Sequence, residues 1–211
     1  MNLDLYVITD ERIAAGRSHA EIARLACEGG ADVIQLRDKS CSNGALFSTG
    51  REICAITRKS GTLFIVNDRL DVALSCGADG VHLGQGDFPV DLARQKAPRP
   101  FIIGVSVGNP DEALAAEKGG ADYVAVSPVF ATDSKNDAGP GHGLAALQQI
   151  IEVVSIPVIA IGGISCDNVD EVIACGADGV AVISAVVGQP DITAAASVLK
   201  KRITAAKQRR T

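Results

Sequence analysis

Three groups of residues in this chain have the types and spacing to hold phosphorylated molecules. Gln35, Arg37 and Lys39 alternate at the end of a β-branched run, so their side chains share one face or its rim. Asp68 and Asp87 follow two other such runs and supply two carboxylates, which suits Mg²⁺ shared between protein oxygens and substrate phosphates. Gly162-Gly163, followed by a helix start near Ser165–Asp167, can offer backbone N–H groups to an anion. Lys135 adds a third cation to Arg37 and Lys39, more positive charge than one monophosphate needs. Together these features suggest two anions: a monophosphate over the last two strands and a metal-bound diphosphate over the second to fourth.

Each element also has a plainer use. Arg-x-Lys at a strand edge serves as surface charge about as often, and a lone Asp at a strand end more often caps a turn or helix. Gly-Gly is common in turns of every kind. His82 lies within a strand, where a packed, hydrogen-bonded ring is at least as frequent as a catalytic one; His19 and His142 read as loop or helix-start residues. The chemistry gains weight only if these tails project from one face of one fold.

The elements that must position them are legible as an alternation. Strand-like runs occur at Leu5–Ile8, Val33–Leu36, Leu63–Val66, Gly80–Leu83, Ile102–Val105, Tyr123–Val126, Val158–Ile161 and Val180–Ile183. Helix patterns lie between them, as at His19–Glu28, Gly44–Lys59, Asp111–Lys118, Gly143–Val154 and Asp167–Ala174. Alternating strand and helix implies a parallel sheet with right-handed crossovers. Eight such units in 211 residues predict a single α/β domain, a (β/α)₈ TIM barrel over residues 1–211, with a basic tail frayed from about 204.

A repeat supports the barrel. The heads GGAD, CGAD, GGAD and CGAD recur, with their second glycine at 30, 77, 120 and 176, so the gaps are 47, 43 and 56 residues. Each gap holds two strand–helix units, and each head precedes an even-numbered strand. Glycine past a helix end permits the left-handed conformation, and Asp then helps turn the chain. The heads therefore belong to the N-terminal, stability face of the barrel, and the varied tails to the C-terminal face, where barrel chemistry is located.

Composition excludes some classes. A net charge of −5 gives no electrostatic case for nucleic acid, and the basic ending from Lys200 to Arg210 reads as the last turns of a helix whose dipole it complements. The opening MNLDLYVITD enters a strand directly, without a targeting pattern, and no apolar run reaches membrane-spanning length. A cytoplasmic protein with no membrane partner is expected. The six cysteines show neither C-x-x-C pairing nor metal-ligand spacing and are expected to be reduced and structural.

The segments YVITD, VIQLRDK, NDR, DGVHLGQGD, GVS, YVAVSPVFATDSKNDA, PVIAIGGI and GVAVISAV together resemble the thiamine-phosphate synthase (thiamine monophosphate pyrophosphorylase) family along nearly the whole chain. The resemblance implies a TIM-barrel transferase that joins a hydroxymethylpyrimidine diphosphate to a thiazole monophosphate, giving thiamine monophosphate and diphosphate. By the same resemblance Gln35, Arg37, Lys39, Asn67 and Lys135 match the diphosphate-substrate residues, with Arg37, Lys39 and Lys135 catalytic, and Ser106 matches a pyrimidine contact. Asp68 and Asp87 match the ligands of one Mg²⁺ per active site. Thr132, Ser134, Gly163, Ile183 and Ser184 match the thiazole-phosphate site. The implied partners are phosphorylated small molecules, and a homo-oligomer is compatible with the chain.

Two departures stand out. Ser134 occupies a position where Thr is commoner, and the glycine-rich stretch 137–143 suggests a lid. Rival readings are a thiazole tautomerase-like isomerase on the same barrel, another phosphate-binding barrel enzyme, and a non-catalytic phosphometabolite sensor. The first would not need the full set of Gln35, Arg37, Lys39, Asp68, Asp87 and Lys135, and the second would place dedicated acid and base residues on early strands, where none is visible.

Overall fold

A computed structural model describes residues 1–132, 134 and 141–210. Among the described residues eight strands close a barrel: β1 (Leu5–Ile8), β2 (Val33–Leu36), β3 (Leu63–Asn67), β4 (Gly80–Leu83), β5 (Ile102–Val107), β6 (Tyr123–Val126), β7 (Val158–Ile161) and β8 (Gly179–Val182). Each is parallel to the next, and β1 pairs with β8 through Leu5 and Val180 to complete the ring. The helices around it are α1 (His19–Glu28), α2 (Asn43–Ser60), α3 (Leu70–Cys76), α4 (Val90–Lys96), α5 (Pro110–Gly119), α6 (Gly143–Val153), α7 (Val169–Ala174), α8 (Ser184–Val187) and α9 (Ile192–Arg210). The expected (β/α)₈ TIM barrel is the fold observed.

β1, β6, β7 and β8 carry no Asn, Gln, His, Ser or charged residue because both of their faces are covered, one by barrel interior and one by helices. Side-chain oxygens start several helices: Ser18 accepts from Glu21 N–H, Ser42 from Ala45 N–H, and Asn109 from Glu112 N–H ahead of Pro110. All six cysteines are free thiols. No helix among the described residues is long and apolar enough to cross a membrane.

The repeated heads have a common job. Their glycines 30, 77, 120 and 176 all have left-handed φ, between +80° and +118°. The Asp that follows then grips the preceding odd strand twice. Its carboxylate accepts the N–H of Leu5, Phe64, Ile103 or Val158 at 2.7–2.9 Å. Its own N–H donates to the carbonyl of that same residue at 2.8–2.9 Å. The head is thus a clasp at the N-terminal rim, used once per quarter of the barrel. Lys200 of α9 adds to the first clasp, bonding Asp32 at 2.6 Å and Asp4 at 2.9 Å, while Arg210 donates to Ile173 and Ala177 carbonyls.

Asp79 makes a clean test, since its carboxylate serves Phe64 N–H at 2.7 Å and forms no ion pair with another of the described residues. Asp79→Ala strands a buried N–H that had a charged acceptor, costing about 2 kcal/mol. A fall of roughly 4–8 °C in Tm is expected for a chain of this size, read by thermal denaturation, with substrate KM values unchanged.

The boundaries differ from expectation in physically simple ways. β3 and β5 run on to Asn67 and Val107 because each keeps its ladder partner on β4 or β6. β8 is shifted one residue earlier, and Ile183 leaves it to start α8 with φ −115° and ψ −84°. α7 begins at Val169 because Ser165 N–H and Asp167 N–H are already bonded to Asn168 Oδ1 and Ser165 Oγ in a preceding turn.

Candidate active site

At the C-terminal ends of β6, β7 and β8 lies a cleft of about 400 Å³. Thr132, Ser134, Gly163, Ile183 and Ser184 all line it. Ser134 N–H donates to Thr132 Oγ1 at 3.2 Å, and the Ser134 hydroxyl donates to Ser184 Oγ at 3.1 Å, so three hydroxyls are tied together. Gly163 has φ +64°, and a Cβ there would sit 2.7 Å from Ala131 O and Phe130 Cβ; the two loops meet this closely only over glycine. In the short α8, Val186 N–H and Val187 N–H already donate to the Ile183 carbonyl at 3.1 and 2.7 Å. None of the described lining residues is charged, so an anion here would meet hydroxyl and amide dipoles. The expected amide donors at Ser165 and Asp167 are not among them, because those N–H groups are spent on the turn before α7.

Charged side chains of both signs gather elsewhere on the rim, past β1 and β2. The Arg37 guanidinium is buried and lies 3.7 Å from Asp10 Oδ2, while Arg37 N–H donates to Thr9 Oγ1 at 3.4 Å. Lys39 is exposed beside it, and both line an open cleft with Asp10, His19 and Asp38. The backbone at Lys39 is held by a turn in which Asp38 Oδ1 accepts Ser40 N–H, Ser40 Oγ and Cys41 N–H at 2.7–3.0 Å. Burial opposes ionisation of Asp38, but those donors prevail and hold its pKa at about 2.

The two carboxylates follow the next two strands, Asp68 just past β3 and Asp87 in the loop after β4. Asp68 has φ +62°, at the centre of a three-residue turn closed by Arg69 N–H on Asn67 O at 2.7 Å, with its own N–H on His82 O at 2.8 Å. Asp87 Oδ2 accepts Gly84 N–H at 2.6 Å, which folds the loop after β4 back toward the rim. Burial, then the hydrogen bond and like charge of Asp87, push Asp68 up to about 6, with Lys39 and Arg37 pulling the other way. Among the described residues no three metal-ligating side chains cluster anywhere, so this pair is a partial coordination set and not a cage.

The raised Asp68 has a stability consequence. A carboxylate whose folded pKa exceeds its unfolded value binds its proton more tightly when folded, so stability without divalent cation falls as pH rises from about 4 through about 6. Asp68→Asn removes that loss. At pH 7.5 in chelator the variant is expected to be the more stable by about 1 kcal/mol, since the half-open site is screened. At pH 4 the advantage disappears; melting curves at the two pH values check it.

Inside the barrel mouth, Gln35 is buried and its Nε2 donates to Tyr6 OH at 2.8 Å. Tyr6 OH is 3.0 Å from Tyr123 OH, Tyr123 OH is 2.9 Å from His82 Nδ1, and His82 Nε2 is 2.9 Å from Ser106 Oγ. The His82 ring also stacks on Tyr123, with centroids 5.6 Å apart. His82 is therefore a packed, fully bonded ring. Asn67 ends β3 directly opposite His82 in the ladder, and Gln85 Nε2 holds the Ser106 carbonyl at 2.7 Å.

The predicted site residues thus fall into three neighbourhoods of one barrel face: the hydroxyl cleft, the Arg37–Lys39 cleft with the Asp68–Asp87 pair, and the interior mouth with Gln35 and Ser106. Lys135 and most of the glycine-rich stretch, 137–140, lie outside the described residues. Sequence reasoning passed over Asp10, Tyr6 and Tyr123. Asp10 stands at the end of YVITD, two residues past the end of β1. The tyrosines, two in the whole chain, carried a signal in their rarity and in their placement within apolar strands.

Comparison with known proteins places this geometry. A family model described as thiamine monophosphate synthase matches residues 5–186. The chain is 71% identical to the thiamine-phosphate synthase of Methanoregula boonei over 208 residues, covering 99% of this chain and 96% of that one. It is 61% identical to that of Methanoculleus marisnigri, covering 98% of each. The solved thiamine phosphate pyrophosphorylase of Pyrococcus furiosus superposes with a TM-score of 0.89 at 46% identity, covering 97% of this chain and 96% of that one. A 3-hexulose-6-phosphate synthase, at 20% identity and a TM-score of 0.66 over 94% of this chain and 99% of that one, shares the barrel fold. On the match of sequence, fold and length, the chain belongs to the thiamine monophosphate synthase family of transferases.

Proposed function

We propose that this chain couples 4-amino-2-methyl-5-(diphosphooxymethyl)pyrimidine with 4-methyl-5-(2-phosphoethyl)thiazole, or its carboxylated form, to give thiamine monophosphate and diphosphate. The observation that carries the reading is the division of one barrel face between an uncharged hydroxyl cleft and a cation–carboxylate cluster. Two anions of different character are thereby kept apart. The thiazole phosphate goes to the hydroxyls of Thr132, Ser134 and Ser184 and the amides near Gly163, with Ile183 against its apolar part. The diphosphate goes to Arg37 and Lys39, with Asn67 beside them and Lys135 assigned by family resemblance.

The donor chemistry fits Mg²⁺. Asp68 and Asp87 are oxygen ligands whose mutual repulsion a divalent cation would relieve, and a pair of carboxylates leaves coordination positions for phosphate oxygens. When bound there the ion supplies neutralisation of charge on the departing diphosphate. The chain's own residues do the rest. Arg37, oriented by Asp10, and Lys39, fixed by the Asp38 turn, hold the leaving group as the C–O bond breaks and its electron pair departs with oxygen. The pyrimidinylmethyl cation left behind is stabilised by the ring's amino group. The thiazole, anchored by its phosphate, presents its nitrogen lone pair to form the new C–N bond. No general base is required.

Purified protein incubated with both substrates and Mg²⁺ should yield thiamine monophosphate and diphosphate, resolved by chromatography. If neither forms while a thiazole carboxylate is isomerised, the tautomerase-like reading replaces this one.

A further inference from the structure

The buried chain Gln35–Tyr6–Tyr123–His82–Ser106 crosses the barrel through β2, β1, β6, β4 and β5. The Gln35 amide nitrogen can only donate, so Tyr6 oxygen accepts there. Tyr6 then gives its proton to Tyr123, and Tyr123 gives its own to His82 Nδ1. Gln35, Tyr6 and Tyr123 supply one proton to each of these three contacts. A proton on Nδ1 would leave a buried donor without an acceptor, which folded interiors avoid. Burial raises both tyrosine pKa values well above the ordinary range, so both hydroxyls keep their protons. His82 is then the neutral tautomer protonated on Nε2, and that N–H donates to Ser106 Oγ.

The fold reserves space for this chain. A Cβ at Gly104, opposite Tyr123 in the β5–β6 ladder, would lie 2.0 Å from Tyr123 Cζ and 2.3 Å from its oxygen. Among the described residues no fully buried side-chain oxygen or nitrogen lacks a partner.

We propose that Tyr6, Tyr123 and His82 form a directional relay of positioning residues that locks the two ends of the barrel mouth in opposite hydrogen-bonding senses. Gln35 spends its amide N–H inward and keeps its carbonyl oxygen as an acceptor for ligand; Ser106 accepts from His82 and keeps its own O–H as a donor. The site therefore recognises a ring that offers one exocyclic N–H and one bare ring nitrogen, an aminopyrimidine edge. It discriminates against the 4-oxo ring, whose edge offers C=O and N–H in the reverse senses. Gln35 cannot switch alone, because turning its amide round requires every proton in the relay to move; the bond that Ser106 accepts from His82 favours its O–H as a donor toward ligand. This rests on the proposed reaction for the identity of the ring, but the relay's direction does not.

The test compares kcat/KM for the 4-amino and 4-oxo pyrimidine diphosphates in wild type, Tyr6→Phe and Tyr123→Phe; intrinsic reactivity of the two rings cancels between proteins. Each variant keeps its ring and should lose at least tenfold of the 4-amino preference, with KM for thiazole phosphate within twofold of wild type. A merely structural role would slow both rings equally, and an unchanged preference overturns the proposal. ¹⁵N NMR of histidine-labelled wild type, with no substrate present, should find the His82 proton on Nε2; a proton on Nδ1 overturns the relay. If wild type forms no thiamine phosphate, the reaction reading fails, and the NMR result still decides the relay by itself.

Discussion

Asp68→Asn is expected to lower turnover with the pyrimidine diphosphate by roughly 10²-fold, about 3 kcal/mol of transition-state stabilisation. The same change should leave the Kd of thiazole phosphate within twofold. Asp68 is the residue where the backbone is held at φ +62° and where burial and Asp87 together oppose ionisation. A site that maintains both costs is arranged for a cation that meets the carboxylate and the leaving group together. Asn keeps the shape and the left-handed backbone tolerance, so the loss should fall on charge and not on folding. Steady-state kinetics over Mg²⁺ concentration, with calorimetric titration of thiazole phosphate, read the two effects separately. Equal losses for both substrates would mean that the face is not divided.

The reciprocal result is expected at Ser184. Ser184→Asp puts a carboxylate where the exposed hydroxyl meets Ser134 Oγ at 3.1 Å, in a cleft with no charged residue among its described lining. Against a phosphate the like charges repel by about 3 kcal/mol at an intermediate dielectric, roughly 100-fold in KM for thiazole phosphate. KM for the diphosphate substrate should move less than threefold, since its cations lie across the mouth on β2. Ser184→Ala removes a donor without adding charge and should cost far less, about tenfold at most. Together the two positions form a double dissociation in which each substitution strikes one substrate.

Much of this arrangement was legible in the order of residues because a (β/α)₈ barrel converts sequence position directly into spatial position. Any polar residue at or just past the C-terminal end of a strand lies on the chemical face, so Arg37, Asp68, Ser106 and Ser184 could be gathered without coordinates. The heads were legible as turns, since glycine and Asp before a strand announce one. Their reciprocal grip on the odd strands was not, because nothing in GGAD names Leu5 as the partner of Asp32 across a whole helix. Short helices escaped for a related reason: α3 and α4 have seven residues each, too few for apolar periodicity to repeat. The start of α7 was misplaced because Asn168 can cap a turn as well as a helix, and only the hydrogen bonds distinguish the two. The relay was least visible of all. Tyr6 and Tyr123 meet across 117 residues, and a tyrosine inside a strand reads as bulk until its hydroxyl has a partner.

The central claim is that one face holds two phosphorylated molecules and joins them. ³¹P NMR of a single reaction containing the wild-type protein, Mg²⁺ and both substrates tests it most directly. The account predicts that free diphosphate appears only when thiazole phosphate is present, mole for mole with thiamine monophosphate. Diphosphate released at the same rate without the thiazole, or thiazole phosphate consumed with no diphosphate formed, would contradict it.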